Sequence, residues 1–543
     1  MHSTATSLSE LAHQFRLQPD HLEFYGRDKA KIALPALQEM PRRGKLILVS
    51  AITPTPAGEG KTTMSIGLAQ GLKQTGHSVA LALRQPSMGP VFGRKGGATG
   101  GGRSSLTPAE SINLQFTGDF HAITAAHNLL AATLDNRLHF KTTRLDPERV
   151  VWKRALDMND RALRSIRIGM GKQGVERDSG FDITAASEIM AILCLATSYD
   201  DLRDRLNRIL LGYTRDGDPV LAEEMEVTGA LLAILRDALK PNLVRSLEGV
   251  PAFVHGGPFA NIAHGCNSVL ATRMALGTAD FAVTEAGFAF DLGGEKFLDI
   301  KCRQAGFAPH VIVLVATIRA LKMHGGTSLT ELDRPDPAAV ARGLENLAAH
   351  LDAAQSFGRA VVVAINQFAT DEPEEHAVVK AYCVSRQVPC AVADVFGAGG
   401  LGAKDLARLV VTAAGTEPPP FEPVYSLDDS TEEKIRRIAT RIYGADGVDF
   451  SPQAEEQLAN IRRLGYGRLP VCMAKTQDSL SDDPSRQGRP KHFRITVRQF
   501  EIAAGAGFLV ALTGKILRMP ALPRHPAAER IQVDSEGVIS GLS

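Results

Sequence analysis

The sequence has almost no excess of charge: 61 Lys and Arg stand against 60 Asp and Glu, a formal net charge of +1. No long-range field is available to hold a polyanion, so nucleic acid is not an expected partner and any bound anion must be gripped locally. Cysteine is scarce, six in 543 residues, and no two form a CxxC pair, which argues against a disulfide framework and a structural zinc site. Aromatic residues make up 6%, with Trp152 the one tryptophan. No apolar run approaches the roughly 20 residues that cross a bilayer. The N-terminal stretch MHSTATSLSELAHQFRLQP lacks the basic-then-apolar order of a signal peptide. The expectation is a soluble cytoplasmic protein without a membrane partner. Hydrophobic residues at 44% and charged residues at 22% describe an ordinary globular chain, long enough for several domains at about 150 residues each.

Glycine is plentiful, 50 in all, and it is clustered. The apolar run KLILVSAI (45–52) has strand length and leads through turn residues into a helical stretch at 61–72; HSVALALR (77–84) reads as the next strand. These segments form a βαβ unit. Further apolar runs at 281–284, 310–318, 359–366 and 389–395 alternate with helical patterns, which predicts an α/β fold. Its mostly parallel sheet is covered on both faces, with ligands at the carboxyl ends of the strands. Between about 146 and 240, Arg, Leu, Ala and acidic residues recur at helical spacing, so a helical insertion is expected. The stretch TEPPPFEP from Thr416 reads as a rigid connection before a charged helix at 431–443. The expected organisation is a P-loop-like nucleotide-binding domain over 1–345 with that insertion, a second α/β domain over 346–510, and a small C-terminal segment over 511–543.

The densest local signal is TPTPAGEGKTT (53–63), lying between a predicted strand and a predicted helix. Glycines let backbone N–H groups turn toward phosphate oxygens while a helix N-terminus adds its dipole. Thr55, Pro56, Ala57, Gly58, Glu59, Gly60, Lys61, Thr62 and Thr63 are the candidate nucleotide-binding residues. Lys61 is placed to reach the β- and γ-phosphates, and the Thr62 hydroxyl to ligate Mg²⁺. The strict pattern has Gly five positions before Gly60, where this sequence has Thr55. Arg84 ends the next strand and offers a planar fork for carboxylate or phosphate oxygens. The glycine-rich stretch 89–102 follows, and with Arg94, Lys95 and Arg103 it suits a mobile anion-covering loop. PAFVHGGPFANIAHGCNS (251–268) contributes His255, Asn261, His264 and Asn267; His255 joins Lys61 and Arg84 as a candidate catalytic residue. A metal site from His255, His264 and Cys266 has no familiar ligand spacing behind it. Glu285 and Asp291, in TEAGFAFDLGGEKF, read either as Mg²⁺ ligands or proton acceptors, or as solvated carboxylates.

Taken together, TPTPAGEGKTT, LRQPSMGPVFGRKGGATGGG, KPNLVRSLEGVPAFVHGGPFANIAHGCNS, TEAGF with EKFLDIKCR, INQFATD and AKTQDSLSDDP resemble the formate–tetrahydrofolate ligases. The blocks run in order from YGRDKAKIAL near Tyr25 to MPALPRHPAA near Met519, almost the whole chain. The resemblance implies that formate, ATP and tetrahydrofolate give N10-formyltetrahydrofolate, ADP and phosphate, with formyl phosphate between. It also implies that the pteridine sits between two aromatic rings of the second domain, at Phe368 and Phe396, with Phe288 near the nucleotide or the folate; Asp291 is a further candidate substrate-binding residue. A homotetramer and a K⁺ or NH₄⁺ response go with the family. Two departures touch the folate pocket. Ala289-Phe290 stands where small residues are usual, and Asp478 where an aromatic is usual.

Two rival readings share the phosphate loop. A carboxyl-phosphate-forming ligase resembling dethiobiotin synthetase has the same style of loop on a far shorter chain. A partitioning-type switch ATPase needs a second loop lysine at 56 or 57, where Pro56 and Ala57 stand. INQFATD lacks the lysine and the acid of the guanine-reading NKxD pattern, at Gln367 and Ala369, so ATP is the expected nucleotide.

Overall fold

Alternate residues of the strand Lys45–Ala51 belong to two separate apolar cores. Leu46 and Leu48 pack on one side of the sheet, and Ile47, Val49 and Ala51 on the other. Val311–Ala316 repeats the division, with Ile312 and Leu314 on the first side and Val311, Val313 and Val315 on the second. Side chains alternate across a sheet, so strands apolar at both parities require cover on both faces.

The computed structural model describes residues 7–542 apart from 16, 42, 96 and 515, with backbone alone at 94 and 95. The expected anion-covering side chains of Arg94 and Lys95 therefore lie outside the described residues. In chain order the main strands are β1 (Leu22–Phe24), β2 (Ala30–Ile32), β3 (Lys45–Ala51), β4 (Val79–Leu83) and β5 (Asn242–Ser246). They continue as β6 (Pro251–Val254), β7 (Phe281–Glu285), β8 (Val311–Ala316), β9 (Ala360–Asn366) and β10 (Cys390–Ala393). Their spatial order is β1-β2-β5-β6-β4-β7-β3-β8-β9-β10. Every pair from β6 to β10 is parallel, and β1, β2 and β5 add an antiparallel edge. The fold is α/β, as expected, on a mixed, mostly parallel sheet.

Helix α1 (Lys61–Gln74) leads from β3 to β4 and covers the second core with Met64, Ile66, Leu68 and Leu72. A Cβ at Gly67 would lie 2.4 Å from Val395 Cγ1, so glycine lets this helix press against the turn after β10. On the opposite face, α2 (Val269–Thr278), α3 (Ile318–His324) and α4 (Pro337–Gln355) bury Leu270, Leu321 and Leu347.

The expected boundary at 345/346 requires correction. It cuts through α4 and separates β8 from β9, which pair in parallel from Val311 opposite Ala360 to Ala316 opposite Ile365. A sheet cannot be divided between two hydrogen-bonded strands that share a helical cover, so β9 and β10 belong with β3. Among the described residues the C-terminal part instead builds three small sheets. One pairs Gly447–Phe450 with Arg494–Val497, another joins Val471–Ala474, Phe508–Leu512 and Gln499–Ala503, and a third pairs Gln532–Val533 with Ile539–Ser540.

The insertion is mixed rather than helical. Helices Glu188–Leu195, Tyr199–Asn207 and Thr228–Leu235 interleave with strand pairs such as Ile166–Ile168 with Arg177–Ser179 and Leu210–Tyr213 with Pro219–Leu221. Strands of three or four residues are too short for alternation to register in the sequence. The glycine-rich stretch likewise contains a helical turn, Met88–Pro90, and a hairpin of Gly100–Gly101 with Ser104–Thr107. A Cβ on Gly100, at φ +87°, would lie 2.2 Å from the Ser104 carbonyl oxygen, so that glycine permits a close approach of backbone to backbone.

Candidate active site

Five strand ends converge at the carboxyl edge of the sheet. The chain leaving β3 turns at Gly58 (φ +84°) and Gly60 (φ +68°), and Gly60 is the N-cap of α1. Both dihedrals lie in the left-handed region where glycine carries no Cβ penalty. Pro56, Ala57 and Gly58 are exposed, while Lys61, Thr62 and Thr63 in the first turn of α1 are half-buried. Glu59 points the other way: its carboxylate is buried and accepts the Thr55 N–H at 2.7 Å and the Thr317 hydroxyl. Burial raises its carboxyl above the usual range, although these hydrogen bonds and the nearby Lys61 oppose the shift. The Asn366 amide, at the end of β9, donates to the Glu59 carbonyl at 3.1 Å. The loop is thus clamped by the ends of β8 and β9, and it is closed on itself by the Gly58 N–H, which donates to the Thr55 carbonyl at 2.9 Å.

The turn is braced further back at Thr53. His324 donates from Nε2 to the Thr53 carbonyl at 2.9 Å and accepts the Gly488 N–H on Nδ1 at 3.2 Å. Asn346 accepts the Thr53 N–H at 3.2 Å and donates to its hydroxyl at 3.0 Å, and the His350 ring lies 2.9 Å from that hydroxyl.

Beside the loop, β7 delivers Glu285 and β4 delivers Arg84. The Thr62 hydroxyl donates to Glu285 Oε2 at 2.8 Å, and Arg84 Nε lies 3.5 Å from Glu285 Oε1. Glu285 is buried and the Arg84 side chain is 24% exposed, so the pair is not sealed off from solvent on the arginine side. A Cβ at Gly287 would sit 2.7 Å from Arg84 Nη1; the glycine of TEAGF leaves room for the guanidinium.

The remaining expected residues divide. Phe368 and Phe396 follow β9 and β10, adjacent strands of the main sheet, and not a second domain. Phe396 is 61% exposed beside Gly101, and half-buried Phe368 faces Arg319, whose Cζ lies 5.5 Å from the ring centroid. Phe288 is half-buried at φ +56°, a conformation a bulky side chain adopts under constraint, often near a site. Asp291 is buried and paired with Lys475 Nζ at 2.9 Å, so it is not solvated. Phe290 packs edge-to-face on Phe357 and is fully buried, and Asp478 is exposed.

His255 stands apart from the cleft. It is fully buried, with Nδ1 2.7 Å from the Ser268 hydroxyl and Nε2 2.6 Å from the Ala238 carbonyl, and burial pushes its pKa down to about 4. This arrangement offers no ring nitrogen to a ligand. Among the described residues, no three His, Cys, Asp or Glu side chains gather in a group able to hold a metal. Among them, too, no helix is long and apolar enough to cross a membrane.

Thr317, Asn366 and Gly287 were not singled out by sequence reasoning. Thr317 carries the signal of a helix N-cap after an apolar strand, its hydroxyl accepting the Ala320 N–H at 3.0 Å. Glycine two positions after a strand-end acid is the trace Gly287 leaves.

The Thr62 hydroxyl and Glu285 carboxylate supply two oxygen donors beside the N-terminus of α1, the donor type with which nucleotide sites hold Mg²⁺ alongside phosphate oxygens and water. The residues present fit that ion. A sequence model of formate–tetrahydrofolate ligase matches residues 1–543. With the motifs in order along one chain and their side chains converging on one sheet edge, the match leaves a single assignment: the chain belongs to the formate–tetrahydrofolate ligase family, ATP-dependent C–N ligases.

Proposed function

We propose that the chain activates formate as formyl phosphate on a P-loop-type site and passes the formyl group to N10 of tetrahydrofolate. Formate is a poor electrophile, and its oxygen must first take the γ-phosphoryl group from ATP. The phosphorus–oxygen bond to ADP breaks as the bond to formate forms. N10 then attacks the formyl carbon, phosphate leaves with the carbon–oxygen electron pair, and the N10 proton passes to water. Positioning and electrostatic stabilisation carry such steps.

In this reading the loop after β3 and the α1 N-terminus hold phosphate oxygens, and Lys61 follows the charge that develops during transfer. Thr62 and Glu285 hold Mg²⁺, which when bound neutralises phosphate charge. Arg84 grips the acyl phosphate oxygens until N10 arrives, since an unheld acyl phosphate hydrolyses. Phe368 and Phe396, leaving neighbouring strands, stack on the pteridine, and Phe288 borders the same pocket. His255 positions the chain around Ser268 and takes no part in proton transfer.

The observation that carries the reading is the pairing of Arg84 and Thr62 on the two oxygens of Glu285, which sets a guanidinium beside the phosphate loop. The experiment is Arg84→Ser. Calorimetry is expected to show nucleotide affinity falling only modestly, while formyl transfer and the formation of ATP from ADP and carbamoyl phosphate are lost. An Arg84→Ser enzyme that makes ATP from carbamoyl phosphate at near the wild-type rate would remove Arg84 from the mechanism.

A further inference from the structure

Arg84 and Glu285 meet only if β4 and β7 end in step, and one buried side chain spans the two strand ends. Asn267, fully buried, donates from Nδ2 to the Ala82 carbonyl at 2.6 Å and to the Thr284 hydroxyl at 2.7 Å. Thr284 in turn donates to the same Ala82 carbonyl at 2.9 Å. Ala82 is two residues before Arg84, and Thr284 immediately precedes Glu285.

The other end of the amide meets Lys301. The Lys301 Nζ donates to Asn267 Oδ1 at 2.9 Å and to the Thr272 hydroxyl at 2.8 Å, and Thr272 donates to Asn267 Oδ1 at 2.9 Å. Lys301 is fully buried, and among the described residues no carboxylate oxygen lies within ion-pair distance of it. An ammonium buried without a counter-charge is costly. An ammonium also has donors and no acceptor, so it can face only the oxygen of an amide. With Lys301 in place, the Asn267 amide cannot flip, and its N–H groups are committed to the two strand ends.

We propose that Asn267, its amide orientation locked by Lys301 and Thr272, is the positioning residue that keeps Arg84 opposite Glu285 for phosphoryl and formyl transfer. This rests on the assignment of Arg84 and Glu285 to the reaction site. Burial lowers the Lys301 pKa to about 8. The groups that face it are the thiols of Cys194, Cys266 and Cys302, with Arg84, Lys296 and Glu285 beyond Cys266. Cys266 and Cys194 are pushed up to about 11 and about 12, and His264, close by, down to about 3, so these three stay neutral while Lys301 titrates. As pH rises through about 8 the ammonium becomes an amine that accepts as well as donates, and the lock loosens.

The test compares Lys301→Met, Thr272→Val and Arg84→Ser with the wild-type enzyme. Loss of the lock misplaces the reacting groups, so Lys301→Met is expected to lower kcat by roughly 100-fold, with nucleotide affinity changed by no more than about twofold. The alkaline limb of the wild-type rate profile near pH 8 should be absent from Lys301→Met. Thr272→Val removes one arm of the lock and is expected to lower kcat by about 10-fold; it decides the matter if circular dichroism shows Lys301→Met misfolded. Wild-type kcat and an unchanged pH profile in the folded variant, with Arg84→Ser inactive, would overturn the positioning role alone. An active Arg84→Ser enzyme would overturn the site assignment on which it rests.

Discussion

The Thr62 hydroxyl donates to Glu285 Oε2 at 2.8 Å, tying the first turn of α1 to the end of β7. The neighbouring residue, Lys61, lies on the same turn, close enough to the buried Glu59 for its charge to oppose the rise of that carboxyl. The helix N-terminus, an ammonium and two oxygen donors therefore share one small volume at the sheet edge, the composition that phosphoryl transfer requires.

Lys61→Ala is expected to abolish nearly all turnover with the fold intact, because charge on the transferring group develops mainly in the transition state. Removing one such donor costs on the order of 100-fold or more in kcat. Circular dichroism establishes that the variant is folded, and a coupled ligation assay reads the loss. A folded variant holding more than about a tenth of wild-type activity would contradict a phosphate-binding role for this loop.

Phe396→Ala and Phe368→Ala are each expected to raise the apparent constant for tetrahydrofolate and leave that for ATP nearly unchanged. A stacked ring contributes about 1–3 kcal/mol, or roughly 5–150-fold. Phe396 is the sharper case, since a ring 61% exposed contributes little to the core and its loss should not lower stability. Equal weakening of both substrates would make the rings packing elements.

The strands around this site were legible because each is an unbroken apolar run between turn residues. The expected 45–52 and 77–84 became Lys45–Ala51 and Val79–Leu83, and TPTPAGEGKTT marked the loop between β3 and α1. Strand order was not legible. Glu285 lies 223 positions from Thr62, and no local pattern says that β7 inserts between β3 and β4. The inward turn of Glu59 was equally hidden, because an acid in a glycine-rich loop reads as solvent-facing until Thr317 arrives from another strand. The boundary at 345/346 failed for the same reason: sheet continuity is a property of pairing between distant segments.

Asp291 and Lys475 give a prediction that separates packing from substrate contact. Both side chains are buried and 2.9 Å apart, and burial lowers the Lys475 pKa while Asp291 opposes the shift. Asp291→Ala leaves an unpaired ammonium in the core and is expected to destabilise by about 3–5 kcal/mol in urea unfolding. Replacing both residues, Asp291→Asn with Lys475→Met, should recover most of that loss. If the double variant is stable but binds tetrahydrofolate as weakly as a pocket mutant, Asp291 also contacts substrate; recovered binding makes the pair structural.

The last prediction concerns the segment that follows Arg84. Asp157 is buried, accepts the Ser87 hydroxyl at 2.5 Å and the Met88 N–H at 3.0 Å, and so anchors the chain a few residues beyond the guanidinium. Burial raises its pKa from 3.8 to about 6, against the pull of both hydrogen bonds. A carboxyl whose folded pKa lies above its unfolded value stabilises the fold below the unfolded value, and that contribution is lost as pH rises through the folded one. Between about pH 4 and pH 6 the wild-type protein should therefore lose stability relative to Asp157→Asn, whose side chain does not titrate. The relative loss should reach on the order of 3 kcal/mol and then level off. Asn keeps one acceptor and forfeits the other hydrogen bond, a pH-independent cost of about 1 kcal/mol, so the slope and not the offset carries the result. Urea unfolding of both proteins across this range reads it directly. Parallel stability curves would mean that Asp157 ionises as an ordinary carboxylate and that the anchor beyond Arg84 is already charged at pH 4.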